Sequence, residues 1–128
     1  MAEARTRVAL ITGGGTGIGR AIAERFVQDG GHAVILGRRE QPLRETAEAI
    51  GGSATWYPLD VSQRAQVATP VALVVERWGQ IDVLVNAAGF VVGVRAGMPL
   101  DEAASNWDET LATNLTGAFL MSLAVAPY

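Results

Sequence analysis

The sequence predicts an α/β fold, a doubly wound parallel sheet built from four strand–helix units. Three observations carry this. Four short apolar runs recur along the 128 residues, a stretch of helical period follows each, and a glycine cluster joins the first run to the first helix. Continuous apolar runs suit parallel strands buried on both faces, and right-handed crossovers then set helices on either side. The expected strand order is 3-2-1-4.

Val8 to Ile11 forms the first apolar run. After Gly17 the period changes: Ile18, Ala21, Ile22 and Phe26 share a helical face, Glu24 and Arg25 lie off it, and Gly30-Gly31 ends the helix. Ala33 to Leu36 is the second strand. Pro42 can open the second helix, which runs through Leu43, Ala47 and Ile50 and closes at Gly51-Gly52. Ala54 to Leu59 reads as the third strand. The third helix carries Val67, Val71, Val74, Val75 and Trp78. Proline costs about 3 kcal/mol in a helix interior, so this helix is either kinked at Pro70 or begins at Thr69-Pro70. Ile81 to Val85 is the fourth strand. Ser105 and Asp108 have the spacing of a capping box and predict the start of a long helix through Leu111, Leu115, Phe119 and Leu123. No repeat or linker interrupts the chain, which predicts a single domain over 1–128.

A net charge of -3 with no basic cluster argues against nucleic acid or an anionic membrane as partner. No apolar stretch approaches the ~20 residues of a membrane span. Met1 to Arg7 is mixed polar and charged, unlike a signal peptide. The expectation is a soluble cytoplasmic protein. The absence of cysteine excludes disulfides, thiolate metal sites and a cysteine nucleophile, and no metal site is expected. All ten basic residues are arginine; the sequence has no lysine.

Five glycines fall within Gly13–Gly19. Such a cluster can be a plain tight turn. After a first strand and before a helix it is also where helix amides and the helix dipole favour an anion, and where missing β-carbons admit a diphosphate. The spacing discriminates. G-x-G-x-x-G fails at Ile18 and Arg20, and the P-loop fails because Arg20-Ala21 stands where Lys and Ser/Thr are required. Thr-Gly-x-x-x-Gly-x-Gly fits, at Thr12, Gly13, Gly17 and Gly19.

Four motifs occur in order: TGGGTGIG at 12–19, LDV at 59–61, NAAG at 86–89 and NLTG at 114–117. In these the chain resembles the amino-terminal half of a short-chain dehydrogenase/reductase, a Rossmann-type fold. The resemblance implies an oxidoreductase that moves hydride between a nicotinamide cofactor and an alcohol or carbonyl carbon of a small molecule. Gly13, Gly15, Thr16, Gly17, Ile18 and Gly19 would then meet the diphosphate. The second strand ends in Arg38-Arg39 rather than in the acidic residue that binds a ribose diol. A guanidinium can hold a 2′-phosphate through paired charge-assisted bonds, so NADP(H) is favoured over NAD(H), with Arg38 the first contact and Arg39 the second. One or both arginines can instead simply face solvent after the strand, Arg39 as readily as not. Family members using NADP often carry a basic residue in the glycine loop, where this chain has Thr16.

By the same resemblance Asp60 and Val61 contact the adenine, and Asn86, Ala87, Ala88 and Gly89 leave room for ribose. The alternative reading of Asn86 is that it ties the sheet's backbone together. Asn114, taken alone, marks a helix kink or a bond to a neighbouring strand; the family uses it in an Asn-Ser-Tyr-Lys proton relay, and it is the catalytic candidate. The rest of that relay is missing from these residues. A tyrosine of pKa about 10 needs a nearby cation to transfer protons near neutrality. Neither Tyr57 nor Tyr128 begins Y-x-x-x-K. The chain is therefore expected to be cut before the fifth strand, to be inactive alone, and to form a homo-oligomer when complete. The strand carrying Val83 would lack a neighbour, and the face with Leu115, Phe119, Met121 and Val125 would lose part of its cover. The competing reading is a non-catalytic dinucleotide-binding or regulatory module.

Overall fold

The computed structural model describes residues 4–128; the reading of Met1 to Arg7 extends into 1–3, which lie outside the described residues. The elements run β1 Val8–Thr12, α1 Gly17–Gln28, β2 His32–Gly37, α2 Glu40–Ile50, β3 Ala54–Pro58, α3 Arg64–Trp78, β4 Val83–Asn86 and α4 Leu100–Leu111. A π-helical segment, Ala112–Gly117, continues α4 into α5, Ala118–Val125. The four strands form one parallel sheet in the order β3-β2-β1-β4, as the alternation predicts.

Side chains alternate across the two central strands. Val8, Leu10, Val34 and Leu36 face α3 and α5, meeting Val67, Val71, Val74 and Met121. Ala9, Ile11, Ala33 and Ile35 face α1 and α2, meeting Ala23, Leu43 and Ala47. Every residue of β1 is buried, which is why its sequence is apolar without alternation.

Four local expectations change. α1 packs through Gly19 and Ala23 while Ile18 is 77% exposed and Ala21 is exposed, so the buried face is turned toward the small residues that let the helix approach the sheet. α2 starts at Glu40, leaving Pro42 third; an amide at that position has no intrahelical acceptor, so proline loses no helix bond there. α3 starts at Arg64 and passes through Pro70, which removes the start at Thr69. Burial of Pro70 with Val67, Val71 and Val74 offsets the cost of about 3 kcal/mol. α4 starts after Pro99, with Asp101 and Glu102 in its first turn complementing the helix dipole, so Ser105 lies inside the helix and caps nothing.

The last helix is apolar on two sides. Thr113, Gly117, Met121 and Val125 form the buried row, whereas Leu115, Phe119 and Leu123 are all more than 60% exposed. Met121 and Val125 therefore do not share a face with Leu115 and Phe119, because residues two apart point to nearly opposite sides of a helix. No helix among the described residues is long and apolar enough to cross a membrane.

At the amino end of the sheet His32 is buried against Trp78, ring centroids 4.5 Å apart, with Nε2 3.0 Å from Thr55 Oγ1. Burial, and secondarily the charge of Arg77, lowers its pKa below the ordinary 6.5. The unfolded chain thus binds the proton more tightly. The contribution of neutral His32 is present above pH 6.5 and is lost as pH falls through and below it. Melting from about pH 7.5 down to about pH 5.5 should show a falling midpoint, with a smaller fall in His32→Gln. Equal falls in both proteins would contradict this.

Candidate functional site

The carboxyl ends of the strands open into a cleft of about 270 Å3. Its floor is the turn after β1, with Gly13, Gly15 and Thr16. One wall is the end of β2 and the start of α2, with Leu36, Gly37, Arg38, Arg39, Pro42 and Leu43. The other is formed by Leu59, Asp60 and Val61 after β3, Ala88, Gly89 and Phe90 after β4, and Thr113 of the π-helical segment. Strand order places the cleft over β1, where the order reverses: the chain steps outward from β1 to β2 and β3, then crosses to β4 on the other side of β1.

The glycines of the turn have separate reasons to be glycine. A β-carbon on Gly13 would lie 2.7 Å from the Ala87 carbonyl oxygen, one on Gly14 would lie 2.6 Å from the Ile35 side chain, and one on Gly19 would strike the Gly13 carbonyl. Those three are required by the protein's own packing. Gly15 is tight against the α2 backbone at 3.1 Å. Gly17 differs: its φ is +53°, and a β-carbon there would meet open space. The turn is fixed further by the Gly14 amide donating to the Leu36 carbonyl and by Thr46 Oγ1 donating to the Gly15 carbonyl.

The turn delivers the chain into α1 with its first amides, those of Gly17, Ile18 and Gly19, free of intrahelical acceptors. No side chain caps this end, and its first turn holds no acidic residue. The helix dipole adds partial positive charge at this end, which favours an anion there.

The four motifs touch one another. Buried Thr12 accepts from the Ala88 amide at 3.1 Å and donates to the Val85 carbonyl. Asn114 clamps the Phe90 backbone from both sides: Nδ2 donates to the carbonyl at 2.8 Å, and Oδ1 accepts from the amide at 3.0 Å. A β-carbon on Gly89 would come within 3.2 Å of that same Oδ1. Gly117 makes room for Val61, whose Cγ2 would lie 2.5 Å from an added β-carbon. Widening of the helix into a π turn over Ala112–Gly117 accompanies these contacts, as it often does at functional sites.

Arg38 and Arg39 are exposed at the cleft rim and make no ion pair among the described residues. The Arg38 guanidinium lies over the Phe90 ring, its carbon 4.7 Å from the centroid. One Asp60 carboxylate oxygen accepts from the Ser62 amide and hydroxyl at 3.0 and 2.7 Å. Asn86 lies outside the cleft lining and donates to Ser122 Oγ of α5 at 3.3 Å.

Of the expected residues, Gly13, Gly15, Thr16, Arg38, Arg39, Asp60, Val61, Ala88 and Gly89 line the cleft. Gly17, Ile18 and Gly19 lie at the α1 terminus, and Asn86, Ala87 and Asn114 form supporting structure. Sequence reasoning missed Phe90, although it directly follows NAAG, and Thr113, which directly precedes NLTG.

Residues 7–128 match the family model described as short chain dehydrogenase. The chain belongs to that family. A short-chain reductase protein NovJ from Streptomyces niveus is 40% identical over 128 positions, covering 98% of this chain and 48% of NovJ. The NADP-dependent 3-hydroxy acid dehydrogenase YdfG of Escherichia coli K12 is 34% identical over 121 positions, covering 94% of this chain and 48% of YdfG. Among solved structures, the 3-ketoacyl-(acyl-carrier-protein) reductase of Brucella melitensis complexed with NADH superposes with a TM-score of 0.85 at 33% identity. That match covers 94% of this chain and 49% of the reductase. This short-chain dehydrogenase chain thus spans about half the length of the relatives it matches.

Proposed function

We propose that the chain is the cofactor-binding half of an NADP(H)-dependent oxidoreductase acting on a small alcohol or carbonyl compound. The observation that carries this is the pairing of two anion sites at one cleft: the free amides opening α1, directly after the lining residues Gly13, Gly15 and Thr16, and Arg38 and Arg39 on the rim beyond β2, which make no ion pair among the described residues. Residues 17–19 hold the diphosphate by main-chain donation. Arg38, with Arg39 behind it, holds the 2′-phosphate. Asp60 keeps one carboxylate oxygen for the adenine amino group, since Ser62 takes the other, and the Val61 amide faces the ring. Ala87, Ala88 and Gly89 give the ribose room, and Asn86 braces β4 against α5. The bound nicotinamide supplies or accepts hydride.

NAD(H) would bind through the same amides with less help from Arg38. The NADP dependence of YdfG supports the first choice, and the NADH complex of the Brucella reductase shows why the second stays open. Asn114 is the one relay residue within these 128 positions; no lysine is present to draw a tyrosine's pKa toward neutrality. A soluble cytoplasmic homo-oligomer completes the proposal. The second reading is a dinucleotide-binding module without chemistry.

Fluorescence titration should show NADPH binding to the protein, and mixing it with NADPH and a ketone should give no oxidation above background. Sustained turnover would contradict the assignment of proton transfer to residues outside this sequence. Failure to bind NADPH would contradict the cofactor reading.

A further inference from the structure

We propose that Phe90 is a specificity-determining residue: its ring holds the Arg38 guanidinium across the cleft and presents it to the 2′-phosphate. This rests on the cofactor reading above.

The two residues come from strands that do not touch. Arg38 follows β2 and Phe90 follows β4, with β1 between them, yet the guanidinium carbon lies 4.7 Å from the ring centroid. Both line the same cleft. Phe90 is the fixed member of the pair. Its ring is half-buried, and both polar atoms of its backbone are bonded to the Asn114 side chain. Arg38 is the exposed member, without an ion pair among the described residues.

Stacking uses the face of a guanidinium and leaves its N–H edge free in the plane. A phosphate is gripped by that edge. The ring and the phosphate therefore do not compete for Arg38; the ring removes rotamer freedom that phosphate binding would otherwise have to remove. An exposed contact of this kind is worth about two- to fivefold in affinity. The gain should go mainly to NADP(H), because NAD(H) offers that edge a neutral hydroxyl in place of a phosphate.

The test is calorimetric titration of NADP+ and NAD+ into the protein and into Phe90→Leu, Phe90→Tyr, Arg38→Ala and the double variant Arg38→Ala/Phe90→Leu. Leucine keeps apolar bulk and removes the aromatic face; tyrosine keeps the face. Phe90→Leu should weaken NADP+ about two- to fivefold and leave NAD+ nearly unchanged. Phe90→Tyr should bind like the parent, and Phe90→Leu should add nothing to Arg38→Ala. Equal weakening of both dinucleotides, no weakening of either, loss in Phe90→Tyr, or an undiminished effect in the Arg38→Ala background would each overturn the proposal while leaving the cofactor reading standing. A parent protein that binds neither dinucleotide would overturn both.

Discussion

Gly19→Ala is expected to cost about 3 kcal/mol of folding stability, at the upper end for overpacking by one methyl group. The new β-carbon would strike the Gly13 carbonyl and crowd the Gly14 amide. Both are backbone, in a turn already bound to Leu36 and Thr46, so no flexible side chain can yield. Gly17→Ala, two residues earlier, is the control. Its β-carbon meets open space, and the expected cost is the roughly 1 kcal/mol of holding alanine at positive φ. Denaturant midpoints for the two variants measure the contrast. Equal midpoints, or an unaffected Gly19→Ala protein, would mean that the turn relaxes and that close backbone approach does not explain the glycine.

Arg38→Ala is expected to weaken NADP(H) binding at least about tenfold while leaving NAD(H) within a small factor, since a hydrogen bond to a charged group is worth about 1.5–3 kcal/mol. Arg38 is the candidate because its guanidinium already lies at the cleft over the Phe90 ring, whereas Arg39 is the N-cap of α2. Thr16 offers no second cation from the glycine turn, so under the proposed assignment Arg38 would carry more of the discrimination than in a site with a basic turn residue. Titration with both dinucleotides reads the result. Equal losses would remove Arg38 from 2′-phosphate recognition.

The strands were legible because burial on both faces leaves little choice of residue: Val8–Ile11 and Ala33–Leu36 are apolar throughout, and every one of them is buried. The cleft was legible because its parts follow strands at the carboxyl edge. What the sequence concealed was set by contacts distant along the chain. Ser105 has a capping spacing, but the start of α4 is decided by Pro99 and the two acids after it. Leu115 and Met121 are equally apolar, and only packing on the sheet separates the exposed row from the buried one. Gly13, Gly14 and Gly19 look like a cofactor signal, yet their nearest constraints are Ala87, Ile35 and Gly13 itself. Asn114 reads as a poor helix residue until its two bonds to the Phe90 backbone are known.

All of this depends on the opening of α1 being an anion site that faces the cleft. A crystal structure of the protein with NADP+ tests that most directly. Diphosphate oxygens should lie about 3 Å from the amide nitrogens among Gly17, Ile18 and Gly19, with the 2′-phosphate beside Arg38. A nucleotide bound elsewhere, with those amides left to solvent, would contradict it.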